Sequence, residues 1–150
     1  MLTPAEVAQY HETGQVTPAF RLDLCVISAI EEKMEALFAD RPDFAELDLA
    51  DSLVEIDRSW IEFARTPEIL DSVEQLIGGN LIAWAIECFR KKGKRSKAVP
   101  WHQDGCYWPI RPLESCTVWI ALDRATPENG CMRIVPGSVS YTHLTLPTKA

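Results

Sequence analysis

The chain has 150 residues, a formal charge of −7, 47% hydrophobic and 25% charged residues, the profile of a single globular domain with enough apolar side chains for a core. An acidic balance argues against nucleic acid as the main partner, because phosphate binding needs a concentrated basic face. No apolar run approaches the roughly 20 residues that span a bilayer, and the start MLTPAEVAQYHETG lacks the basic and apolar regions of a signal peptide, so a cytoplasmic protein without a membrane segment is expected.

The first half reads as helical. Thr3-Pro4-Ala5-Glu6 offers a cap, a proline suited to the first helical position and a glutamate able to reach back, and Gly14 is placed to end that helix. From Leu22 to Ala39 the residues Leu22, Val26, Ile30, Met34 and Leu37 recur near helical spacing, which predicts an amphipathic packing helix. The stretch from Asp51 to Ala64 is also expected to be helical. A further start at Thr66-Pro67-Glu68 leads into Ile69, Leu70, Val73, Leu76 and Ile77 and stops at Gly78-Gly79.

After residue 79 the texture changes to short runs rich in β-branched and aromatic residues. Leu81–Phe89, Val99–Trp108, Cys116–Leu122 and Cys131–Val135 are expected as strands, with turns at Arg111–Glu114 and Ala125–Gly130. Asn129-Gly130 suits a tight hairpin-type turn with positive φ. The organisation expected is one domain over residues 1–138, helical over 1–79 and strand-rich over 80–138, with the helices buttressing a barrel-like sheet. The five cysteines, Cys25, Cys88, Cys106, Cys116 and Cys131, form no CxxC pair and read as free, buried or half-buried thiols. The basic run Arg90, Lys91, Lys92, Lys94, Arg95 and Lys97 is either a solvated loop or a rim that attracts acidic small molecules.

Chemistry concentrates in VPWHQDGCYWPIRP, Val99–Pro112. In an extended strand residues i and i+2 share a side, so the His102 imidazole and the Asp104 carboxylate can close on one ion. They supply two thirds of a 2-His-1-carboxylate iron site. Tyr107 and Trp108 suit either a substrate mouth or packing around Pro109 and Pro112, and His11 reads as a surface histidine.

The ordered set FRKK (Phe89–Lys92), VPWHQDGCYWPIRP, TVWIALD (Thr117–Asp123) and ENGCMRIVPGS (Glu128–Ser138) resembles the phytanoyl-CoA dioxygenase family. So does FARTPEILDSVEQLIGGN (Phe63–Asn80) ahead of it. The resemblance implies a cupin-like double-stranded β-helix, or jelly-roll, with N-terminal helices packed on it, and an oxygenase using iron(II), 2-oxoglutarate and dioxygen to hydroxylate a small organic substrate. It assigns His102 and Asp104 as iron ligands and Trp119 to a place beside 2-oxoglutarate. Gln103 and Glu87 are carried over as further co-substrate-pocket positions, although Gln103 points the other way on an ideal strand. Retention of Asp104, which related halogenases replace with a small residue, favours hydroxylation. A small, anionic or acyl-CoA-like substrate is compatible with the basic run.

The pattern departs from the family after Ser138. The family places a second metal histidine and then an arginine for the distal carboxylate of 2-oxoglutarate further on, and a guanidinium fork suits that partner. Here no arginine follows Arg133, and the late histidine His143 lies closer behind His102 than a third ligand is expected to. The tail 139–150, VSYTHLTLPTKA, resembles endings acquired by environmental sequence fragments that run into adapter sequence. The expectation is therefore an incomplete jelly-roll from a longer parent enzyme, itself unable to turn over. The alternative is a catalytically inactive jelly-roll binding protein. A zinc hydrolase built on His102 and Asp104 has no HExxH-type helix to support it.

Overall fold

The computed structural model describes residues 1–93 and 96–138. The helical expectations at the start of the chain hold in detail. Helix α1, Pro4–Thr13, opens on a reciprocal cap: the Glu6 N–H donates to Thr3 Oγ1 at 3.3 Å and the Thr3 N–H donates to Glu6 Oε2 at 2.7 Å. It closes at Gly14, whose φ of 81° lies in the left-handed region that glycine tolerates and whose N–H donates to the Tyr10 carbonyl at 2.8 Å. Helix α2, Leu24–Asp40, is capped by Asp23 and turns Ile30, Met34 and Leu37 into the interior.

A continuous helix over 51–64 does not form. Three short pieces replace it: α4 Leu53–Ile56, a 3-10 turn Arg58–Trp60 and α5 Ile61–Ala64, preceded by α3 at Pro42–Ala45. The reason is local. Ser52 stands at φ 54° before α4, and Asp57, in extended conformation, turns its side chain onto the Ser59 N–H at 2.8 Å and restarts the chain there. Helix α6, Pro67–Ile77, follows the predicted start and ends at Gly78. It lies against α1, where the Gln75 amide accepts from the Leu2 N–H at 2.8 Å and donates to the Leu2 carbonyl at 3.0 Å.

The core gathers Ile30, Met34 and Leu37 from α2 with Ala50, Leu53 and Trp60. Ile86, Cys88, Ile120 and Leu122 from the second half pack on this cluster, so the helical part is the floor on which the rest of the chain is laid.

The expected jelly-roll core is not confirmed among the described residues. Among the described residues the only sheet is a two-stranded one, β1 (Leu49–Ala50) antiparallel to β2 (Cys88–Phe89). The remaining expected strand residues, 81–87, 99–108, 116–122 and 131–135, carry no β-ladder. A strand completes its hydrogen bonds only on a neighbour, and in a jelly-roll those neighbours are remote in sequence; here the segments are fixed by side chains and turns instead. The expected Asn129-Gly130 hairpin turn is likewise a 3-10 turn, Pro127–Asn129. It is held by Thr126 and Asn129 and closed by Gly130 at φ 84°, the one positive φ in the pair.

The basic run is partly spent on internal pairing. Lys92 Nζ donates to Glu46 at 2.9 Å, the Ser96 hydroxyl donates to Asp48 at 2.8 Å and the Lys97 N–H donates to the same carboxylate at 3.1 Å. Ser96 first, then the Lys97 amide and the nearby lysines, hold the Asp48 carboxyl below its ordinary range. Lys94 and Arg95 of this run, the tail 139–150 and His143 lie outside the described residues. All five cysteines are free, with Cys25 and Cys106 exposed rather than buried. No helix among the described residues is long and apolar enough to cross a membrane.

Candidate metal centre

Two layers meet where the second half crosses the core. Ile86 and Cys88 pack inward, which leaves the intervening Glu87 on the opposite side by simple alternation. Ile120 and Leu122 also pack on the core, and Thr117 and Trp119 are exposed. His102 Nε2 and Asp104 Oδ1 are 3.3 Å apart.

The route to this proximity differs from the one expected. Asp104 does not continue a strand but opens a 3-10 turn, Asp104–Cys106, in which the Cys106 N–H donates to the Gln103 carbonyl at 3.0 Å and the Tyr107 N–H to the Asp104 carbonyl at 2.9 Å. Gly105 permits the turn to lie close to Leu113: a Cβ there would meet Leu113 Cδ2 at 2.4 Å. The turn therefore presents the carboxylate back toward the imidazole.

Each member of the pair is oriented from behind. His102 Nδ1 is 2.7 Å from the Pro100 carbonyl; a carbonyl only accepts, so Nδ1 donates there and Nε2 is the ring nitrogen that faces Asp104. Asp104 Oδ2 accepts from the Thr117 hydroxyl at 3.1 Å, which leaves Oδ1 facing Nε2. The edge of Tyr107 meets the His102 ring at a centroid distance of 5.7 Å.

The donor set, one imidazole and one carboxylate 3.3 Å apart, is of a kind that iron(II) takes among other ions. Among the described residues no group of three His, Cys, Asp or Glu side chains is placed to hold a metal.

The other expected site residues are dispersed around this pair. Gln103 turns its amide to the Ser138 carbonyl at 2.8 Å, away from the ion-facing side. Trp119 is 44% exposed. Burial, and then the charges of Asp51 and Asp104, push the Glu87 carboxyl above its ordinary range, so Glu87 shares the electrostatic neighbourhood of the pair. Arg133 stacks over Trp101 at 5.6 Å, next to His102 in sequence. Thr117 is the contact that the sequence reading does not single out; its place two residues before Trp119 in an alternating run was the available signal. A groove of about 430 Å³ lined by Tyr10, His11, Leu76, Ile77, Leu113 and Glu114 lies between α1 and α6 and contains none of these residues.

The family model described as phytanoyl-CoA dioxygenase (PhyH) matches residues 1–145, a range that includes the beginning of the tail. A probable phytanoyl-CoA dioxygenase of Caenorhabditis elegans is 37% identical over 89 residues, covering 55% of this chain and 28% of that protein. The peroxisomal phytanoyl-CoA dioxygenase of Homo sapiens is 33% identical over 86 residues, 55% of this chain and 25% of that one. An L-proline trans-4-hydroxylase of Streptomyces griseoviridis is 30% identical over 88 residues, 56% of this chain and 33% of that one. The matched regions thus span about a quarter to a third of these relatives' length. No solved structure matches the chain.

Proposed function

The chain belongs to the phytanoyl-CoA dioxygenase family, and from that premise we propose that it carries the metal-binding half of an iron(II)- and 2-oxoglutarate-dependent dioxygenase that hydroxylates a small organic substrate. The observation that carries the reading is the oriented pair, His102 Nε2 opposite Asp104 Oδ1 at 3.3 Å with His102 Nδ1 on the Pro100 carbonyl. Iron(II), 2-oxoglutarate and dioxygen would together supply the oxidation, one oxygen atom entering the substrate C–H bond as hydroxyl and the other entering succinate as carbon dioxide leaves.

In this reading the chain's own residues have separate tasks. His102 and Asp104 would supply two ligand atoms to the iron, which would bind co-substrate and dioxygen at its remaining positions. Trp119, two residues beyond the Thr117 that meets Asp104, would offer an apolar surface to the co-substrate. Glu87, near Asp104, would border the co-substrate region, while Gln103, whose amide donates to the Ser138 carbonyl, would act there only through that turn. Closure of a jelly-roll around these groups, with the third ligand and the guanidinium partner of 2-oxoglutarate, belongs to the proposal for the parent protein. So does its assignment to the cytoplasm.

The test is iron-dependent succinate formation from 2-oxoglutarate by the product of the complete gene. Turnover is expected to fall more than about 100-fold in His102→Ala and Asp104→Ala, since even the outer partners of metal ligands are worth 10–100-fold. Binding of metal without succinate formation would favour the inactive binding protein, and succinate formation unchanged in both variants would overturn the assignment of the pair.

A further inference from the structure

We propose that Thr117 is a positioning residue for the metal site: its hydroxyl holds Asp104 Oδ2 so that Oδ1 is presented to the ion together with His102 Nε2. The inference rests on the metal-centre reading above and adds to it a residue that family membership alone does not assign.

A carboxylate has two equivalent oxygens and a soft terminal torsion. Asp104 is 47% exposed at its side chain, so packing does not select which oxygen faces His102. The selection comes from hydrogen bonding. Thr117 Oγ1 donates to Oδ2 at 3.1 Å while Oδ1 stands 3.3 Å from His102 Nε2. With Oδ2 occupied, the carboxylate plane is defined by contacts at both ends, and Oδ1 becomes the monodentate donor.

Thr117 is itself fixed from the core. The preceding residue, Cys116, lies beside the Tyr10 phenol of α1, and burial together with this thiol pushes Tyr10 up to about 12. Three residues further on, Ile120 packs on the helical cluster. The segment 116–120 is therefore anchored on both sides of Thr117, and its hydroxyl transmits that anchoring to a carboxylate on an exposed turn. On the other ligand the Pro100 carbonyl does the corresponding work for His102. Such outer hydrogen bonds fix ligand orientation and typically change metal affinity 10–100-fold when removed.

The test measures Mn(II) affinity, from the free-ion electron paramagnetic resonance signal, in the complete gene product and in its Thr117→Val, Thr117→Ser and Asp104→Ala variants. Valine keeps the shape of threonine and removes the hydroxyl; serine keeps the hydroxyl. Thr117→Val is expected to weaken Mn(II) binding about 10-fold at unchanged thermal stability, and Thr117→Ser to bind within about twofold of the wild type. Equal affinity in Thr117→Val and wild type would overturn the role of the hydroxyl, and so would equal weakening in both Thr117 variants, which would assign the effect to packing. Unchanged affinity in Asp104→Ala would overturn the underlying metal site instead, so the two failures are distinguishable.

Discussion

The helical part, residues 1–78, and the site-bearing part, residues 80–138, are held together by different kinds of contact. In the first, each helix closes its backbone bonds within itself, α1 and α2 open on side-chain caps, and α2 with the short pieces that follow it builds a core whose central side chains, Leu53 and Trp60, are 1% and 2% exposed. In the second, backbone ladders are few, large apolar side chains such as Ile82, Trp84, Trp101 and Tyr107 face outward, and order comes from individual hydrogen bonds: Gln103 to Ser138, Thr117 to Asp104, the Leu53 N–H to the Ile86 carbonyl. Stability therefore resides mainly in the first part, and the proposed site lies in the second. The second borrows its rigidity from the first through Ile86, Cys88, Ile120 and Leu122.

The largest effect that separates the two parts is expected at tryptophan. Trp60 is buried against Phe63 at 5.6 Å between ring centroids, with Lys33 over its ring at 5.0 Å. Trp60→Ala should cost about 3–5 kcal/mol in urea unfolding, whereas Trp84→Ala, at a site 59% exposed, should stay within about 0.5 kcal/mol. Equal losses would erase the distinction between the parts.

A smaller effect tests the local capping of the helical part. Thr3→Ala removes one partner of the reciprocal cap on α1 and should cost about 1 kcal/mol, read from the same unfolding curves, with Mn(II) affinity unaltered. A change in metal affinity would show that α1 is coupled to the site more directly than its contacts suggest.

The smallest effect is electrostatic. Asp57 is pulled from 3.8 to about 2, first by Lys33 and then by Ser59. Its folded value lies below the unfolded one, so its contribution is present above about 3.8 and is lost as pH falls toward about 2. In Asp57→Asn the urea midpoint should decline less steeply across that window than in wild type, and the two should run parallel above it. The group is exposed, so the difference will be small and salt-sensitive.

What could be read from the amino acids follows the same division. The starts at Thr3-Pro4 and Thr66-Pro67 and the stops at Gly14 and Gly78 were legible because a helix is specified by neighbours a few residues away. Asp57 defeated the longer helix for an equally local reason, but one that competes with hydrophobic periodicity. The strand expectations over 81–87, 99–108, 116–122 and 131–135 depended on partners remote in sequence, and composition cannot supply a partner. His102 and Asp104 were legible as a pair. The turn that joins them was not, because it depends on Gly105 passing close to Leu113, and Thr117 became visible only through its hydrogen bond.

The alternation at Ile86, Glu87 and Cys88 also guards against misassembly. A slip of one residue in this segment would exchange faces, carrying the Glu87 carboxylate into the apolar layer and Ile86 into water. Neutralising or stranding that charge is costly, whereas the correct register satisfies both sides and is pinned by the Arg90 N–H on the Asp48 carbonyl at 2.9 Å. A side chain placed at the edge of the site thus doubles as a check on how the chain is threaded across its floor.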